Sequence, residues 1–346
     1  MHSLSQKPKF MFTQETLTVN FQKRLFELIR SKLDPEINLA KRIAELLHVG
    51  LDAAYKKISA ARILDLVELH LLLEAFELDY QDLEQSSQRS RLYMQPFVPS
   101  LQNPCLAAYL QYLVKALQEV KPLLQGNLLL TLPSLSFFHL AYSPELTSFY
   151  AFLLQKHVLN LPDFKHRKFD LFQTDPNILQ LSQSLQEAYF AIPTTEIWHA
   201  HALGFLPKQL RYYQEAQLFV QPNAYALLLD TYQQLLQHLE FEVGEGQKYN
   251  LHSAAKGAAF ALYHHELVGG EQTMYAPLNG TAKVWIQTHG LQMLCTTDKH
   301  FTGPFYQNLL DLQAKSTYLS GQNEKLIAAF FGEERRELEK AELMKG

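Results

Sequence analysis

Over the first 84 positions apolar residues recur at three- and four-residue spacing, the period of a helix, in short interrupted runs. Asn20 is placed to cap a first helix whose Phe21, Leu25, Leu28 and Ile29 share one face. Asp34-Pro35-Glu36 combines a capping acid, a proline suited to the first helical position and a first-turn carboxylate, so a second helix is predicted from there to about Leu47. Ile43, Ala44 and Leu47 form its apolar stripe, and Val49 falls in a tight turn. Ala54 and Ile58 then give a third helix, about residues 51–59, its buried side, with Lys56 and Lys57 expected to point away. Asp65 and Glu68 have capping-box spacing at the start of a fourth helix whose Leu66, Leu69, Leu73 and Phe76 are expected to close the core of the headpiece. Leu78 and Leu83 mark a short fifth, and the polar stretch 86–96, ending in Pro96, reads as a linker.

From Phe97 onward the pattern predicts helices over residues 103–124, 144–157, 176–190, 207–218 and 222–239, with a buried strand at 127–132. The text changes near Gly244. Alternating runs at 260–267, 272–278, 281–288 and 291–297 are separated by Gly269-Gly270, Asn279-Gly280 and His289-Gly290, which predicts an antiparallel meander. Closing helices are expected at 303–314 and 323–343. The expected fold is therefore mainly α. It comprises an N-terminal four- or five-helix headpiece over residues 15–84 with a helix-turn-helix at its centre, a linker over 85–96, and a larger helical domain over 97–343 with a small β-meander near the C-terminus.

The chain has 346 residues, 47% of them apolar, enough for two domains with their own cores. The net charge of −4 is unevenly spread. Residues 1–62 carry 11 Lys and Arg against 6 Asp and Glu, whereas residues 63–84 carry 7 acids and no base. A basic excess over the helix-turn-helix is the electrostatic footprint of a nucleic-acid headpiece; fluctuation over short windows is the alternative. The N-terminus lacks the apolar core of a signal peptide, and the longest apolar stretch, 127–142, is interrupted by Pro133, so a cytoplasmic protein without a membrane span is expected. Cys105 and Cys295 stand apart, with no C-x-x-C spacing, which argues against a disulfide scaffold or a structural zinc site.

On the third helix Asp52, Ala53, Lys56 and Lys57 form the expected exposed set, with Tyr55 at its edge and Arg62 just beyond. Lysine can donate to guanine or phosphate, aspartate can accept from cytosine, and alanine can touch a thymine methyl. Lys41 and Arg42 suit phosphate contacts that set register. The alternative is a solvated charged face on a purely structural bundle.

The segment LAKRIAELLHVGLDAAYKKISAA at residues 39–61 resembles the lambda-repressor-like (Cro/XRE-type) helix-turn-helix family of bacterial transcription regulators. His48 stands where that family commonly has glycine, and Gly50 where it often has serine. The segments FFHLAYSPELTSFY, IPTTEIW with QLRYYQEAQLF, and KSTYLSGQNEK look like landmarks of regulators carrying the same headpiece and a long C-terminal region of poorly known role. The resemblance implies double-stranded DNA as partner and a homodimer; for the C-terminal region it implies one family and no ligand, and a small-molecule or protein effector stays open.

No catalytic constellation, cofactor motif or metal site emerges. His199 and His201 in WHAHA share a face only if extended, and His264-His265-Glu266 lacks the second histidine of H-E-x-x-H, so both read as structural or surface histidines. Residues 244–248, GEGQK, are too short for a P-loop, and Ser320-Gly321 lacks the upstream glycine of a nucleophile elbow. Tyr212, Tyr213 and Phe219 could line a small-molecule pocket, form a dimer seam or simply fill the core. A non-catalytic protein–protein interaction scaffold is the competing function; an enzyme carried by residues 97–343 would require a pocket with convergent titratable groups.

Overall fold

The computed structural model describes residues 14–34, 37–78, 83, 92, 94–98, 105–250, 255–266, 270–288, 291–321 and 324–343. Contacts divide the chain into two compact units, Met1–Arg91 and Leu92–Gly346.

The N-terminal unit contains helices α1 (Gln14–Lys32), α2 (Leu39–Leu46), α3 (Leu51–Ile58) and α4 (Leu66–Ala75). Leu25, Ile29, Ile43, Ala54 and Leu72 are fully buried at its centre. The first helix begins at Gln14, ahead of the predicted cap at Asn20. The second begins after the predicted Asp34 start, because Asn38 caps it and accepts from the Lys41 N–H at 3.2 Å. Of the predicted fifth helix only Leu78 and Leu83 are described, and both are buried in the N-terminal core; most of the predicted linker lies outside the described residues, while Gln95 and Pro96, read as linker, belong to a strand.

The C-terminal unit corrects the expectation of a mainly α fold with a small meander. It is built on a nine-stranded mixed sheet. Its strands are β1 (Gln95–Phe97), β2 (Leu128–Leu132), β3 (Thr194–His199), β4 (Gln247–Tyr249), β5 (Lys256–His265), β6 (Thr273–Leu278), β7 (Thr281–Gln287), β8 (Met293–Thr296) and β9 (Thr317–Tyr318). They run in the order β1-β8-β7-β6-β2-β3-β5-β4, with β9 also pairing β5. β6, β7 and β8 form the antiparallel meander, and Asn279-Gly280 is its two-residue turn, with Gly280 at φ +76°. The run placed first in the meander instead forms β5, which lies parallel to β3, and β3 lies parallel to β2. Parallel strands need long crossovers, and their pairing leaves no local pattern in the sequence.

Helices cover the sheet. They are α5 (Leu106–Val120), the short α6 (Phe137–Leu140), α7 (Pro144–Leu153), α8 (Pro176–Phe190), α9 (Phe205–Glu215), α10 (Ala224–Glu245), α11 (Lys299–Ala314) and α12 (Glu324–Leu343). Alternation along β2, β6 and β7 decides the layers. Leu128, Leu130, Met274 and Trp285 join the large core with α5, α8 and α10, whereas Leu129, Tyr275 and Val284 meet Leu309 of α11 on the other face. The carboxyl ends of β2, β3 and β5, at Leu132, His199 and His265, therefore share one edge. No helix among the described residues is long and apolar enough to cross a membrane.

Candidate functional site

In the N-terminal unit a defined turn sets the relation of α2 to α3. The His48 N–H donates to Glu45 O at 3.4 Å and the Val49 N–H to Ala44 O at 3.0 Å, closing α2 with a Schellman motif. The motif requires a left-handed residue, and His48 supplies it at φ +51° where glycine is the usual choice. Gly50, in extended conformation, then caps α3, and Ala54, completely buried, has too small a side chain to hold the two helices apart.

This packing sorts the candidate contact residues. Asp52, Tyr55 and Lys56 are exposed on α3, Ala53 is half-buried, and Lys41, Arg42 and Arg62 are exposed outside α3. Lys56 pairs with Asp52 at 2.7 Å and Arg42 approaches Glu45 at 3.7 Å. Both are solvent-facing pairs within one helix, weak enough to be exchanged for a phosphate or a base edge. Lys57 corrects its expected placement. It is 2% exposed, and its ammonium lies 2.6 Å from Glu68. The pattern did contain that signal: Lys57 is three residues after Ala54, on the buried face.

Around Lys57 a polar knot joins three helices. Gln22 of α1 donates to the carbonyls of Lys57 and Arg62 at 2.6 and 2.8 Å and accepts from the Leu64 N–H. Glu68 also accepts from the Asp65 N–H, completing the capping box of α4. Lys57→Met is expected to lower the unfolding free energy of the N-terminal unit by about 1–3 kcal/mol, because Glu68 loses its buried partner while the methylene packing is kept. Helical circular dichroism during urea titration would measure it, and an unchanged midpoint would remove the pair from the account.

The C-terminal unit holds a second polar constellation that the sequence did not reveal. Glu196 of β3, wholly buried, accepts from His139 Nε2 at 3.1 Å, from Trp198 Nε1 at 2.7 Å and from the Tyr189 hydroxyl. Lys248 of β4, also wholly buried, donates to the carbonyls of Tyr189 and Ile192 at 2.8 Å each, and its ammonium sits 3.3 Å from the centre of the Tyr189 ring. Beside them Glu242 accepts from Tyr142 at 2.7 Å, His238 at 3.1 Å and the Tyr249 N–H at 2.6 Å. Burial pushes the Glu196 carboxyl up, but the neighbouring His139 outweighs it, with help from Lys248 and Tyr189, and the group ends below the usual range. Burial also drives Lys248 down to about 7, although Glu196 and Glu242 pull the other way. Two carbonyls receive the Lys248 amine, so the arrangement orders a core, and none of its residues lines the cavity beside Lys208 or the one beside Tyr212.

No family model, curated protein or solved structure matches the chain. The arrangement of its own side chains therefore carries the functional reading.

The two histidine motifs, taken separately in the sequence, become neighbours in the sheet. Trp198 is in register with His264 and His199 with His265, so residues 199–201 and 264–266 emerge side by side at the carboxyl ends of β3 and β5. The His199 and His265 rings meet edge to face at 5.7 Å, and Gly270, at φ +117°, leaves room for His199 that a Cβ would take. No group of three His, Cys, Asp or Glu side chains among the described residues is placed to hold a metal ion. Of the aromatic trio, Tyr213 is buried in the core, Phe219 packs against it, and Tyr212 is exposed at the rim of a separate cavity.

Proposed function

We propose that the protein is a cytoplasmic, sequence-specific transcription regulator of the lambda-repressor-like helix-turn-helix type, acting as a homodimer on double-stranded DNA. The observation that carries the reading is the α2–α3 pair, closed by a left-handed His48 and presenting Asp52, Tyr55 and Lys56 on one exposed face. An eight-residue helix held this way can enter the major groove with Lys56 and Asp52 toward base edges, while Lys41, Arg42 and Arg62 meet phosphates. Lys57 is excluded from this set by its burial. No reaction is assigned, and the C-terminal unit serves dimerisation and effector sensing.

The test is selection of the full chain against random duplexes, followed by salt titration on any enriched sequence. An enriched palindrome with steep salt dependence is expected. Lys56→Glu combined with Arg62→Glu should weaken binding at least tenfold and reduce the salt slope by about 1 for each lost phosphate contact. Enrichment of nothing, or unchanged affinity in the double variant, would remove the reading.

One observation favours a second reading. Ile63, Leu66, Val67 and Leu71 are all exposed on or beside α4, and Leu66, expected in the core, is 84% exposed in the first turn because the helix turns Leu72 inward; together they form an apolar surface suited to a partner protein. As an interaction scaffold the chain would use that surface and bind no duplex, and the same selection separates the two.

A further inference from the structure

At the carboxyl ends of β3 and β5 a cavity of about 550 Å³ opens between α9 and α12. In sheets with parallel strands this edge is where ligands are commonly bound, since the loops leaving the strands diverge there. The volume lies within the range of small-molecule sites.

Charges of both signs line the cavity. α9 contributes Lys208 and Arg211, three residues apart on one face, and both are exposed. Carboxylates come from other elements, Glu333 and Glu334 of α12 and Glu266 just after β5, and Glu334 lies beside Lys208 over Gly204. Glu334 has a partner of its own, whereas no ion pair among the described residues joins either cation to Glu266 or Glu333. Between the charged groups the lining is apolar and aromatic, with Phe330 packed against the His264 ring at 4.7 Å. His264 Nε2 is buried and has no hydrogen-bond partner.

We infer that this cavity binds a small zwitterion about the size of a dipeptide, with separated carboxylate and ammonium groups and an apolar body. The carboxylate meets Lys208 and Arg211, the ammonium meets Glu266 and Glu333, and the apolar body lies on Phe330. Burial pushes the His264 pKa down, so this lining imidazole adds no positive charge beside the ammonium. The site is independent of the DNA-binding reading, since all of its residues belong to the C-terminal unit.

The test is isothermal titration of the full chain with L-leucyl-L-phenylalanine, its N-acetyl form and its C-terminal amide. The free dipeptide is expected to bind saturably, and each blocked form at least tenfold more weakly. Arg211→Gln with Lys208→Gln should weaken the free dipeptide at least tenfold and abolish its preference over the amide. Glu333→Gln with Glu266→Gln should likewise abolish its preference over the N-acetyl form. Unchanged tryptophan fluorescence would certify that the variants are folded. Equal binding of free and blocked forms, an unchanged constant in folded variants, or no saturable heat at millimolar dipeptide would each overturn the assignment.

Discussion

Glu196→Ala is expected to destabilise the C-terminal unit by about 3–5 kcal/mol, the range for breaking a buried, hydrogen-bonded charge. Three donors converge on that carboxylate, from His139, Trp198 and Tyr189, and all four side chains are at most 3% exposed. Removing it leaves each donor without an acceptor in a site water does not reach, and leaves Lys248 with one fewer compensating charge. Glu196→Gln should cost less, because an amide oxygen still accepts, although its NH2 group meets donors where the second carboxylate oxygen stood. Both tryptophans of the chain, Trp198 and Trp285, lie in the C-terminal unit. Tryptophan fluorescence during urea unfolding therefore reports that unit alone, even if the two units unfold separately. A midpoint within error of the wild type would show that the network contributes nothing net.

The second large effect is an unusual dependence on pH. The Lys248 pKa is about 7 in the folded chain, against an ordinary lysine value of 10.5 once unfolded. Between those values the unfolded chain holds a proton that the folded chain does not, so stability rises with pH at about 1.4 kcal/mol per unit. Below pH 7 both states are protonated and this contribution is flat. The buried phenols of Tyr142, Tyr189 and Tyr232 work in the opposite sense. Burial holds them well above the ordinary value of 10.0, so above pH 10 the unfolded chain ionises first and stability falls. The Cys295 thiol, pushed up by burial, adds to that falling arm. The C-terminal unit is thus expected to be most stable near pH 9–10, higher than the usual maximum between about pH 5 and 8. Urea midpoints taken from pH 6 to 11 would trace the profile, and Lys248→Met should flatten its rising arm. A wild-type profile that is level or declining between pH 7 and 9 would mean that Lys248 keeps its proton in the folded chain.

How much of this was legible differs between the two units. The helix-turn-helix could be read because each of its helices declares a buried face within eight or ten residues, and its turn is closed by local hydrogen bonds. The β6–β7 hairpin could be read for the same reason, from Asn279-Gly280 between two alternating runs. β3 could not. Its sequence TTEIWH looks half polar, yet all six residues are buried, because donors from α6 and α8 satisfy the carboxylate. Lys57 is similar: its charge suggests solvent, yet it holds a core-facing position, which Glu68 makes tolerable by meeting the ammonium.

Local pattern alone places most of the helices, the tight turn between α2 and α3 and the hairpin turn. These follow from interactions within a few residues, where side-chain period and backbone preference are written directly into the chain. Contacts between distant segments set the mixed sheet of the larger unit, the interior position of Glu196 and Lys248, and the shared edge of the two histidine motifs. Parallel pairing joins Thr194 to Phe260 and Leu128 to Thr194 across more than sixty residues each. A buried charge, likewise, is tolerable only when distant groups arrive to meet it, so neither could be read from neighbours in the chain.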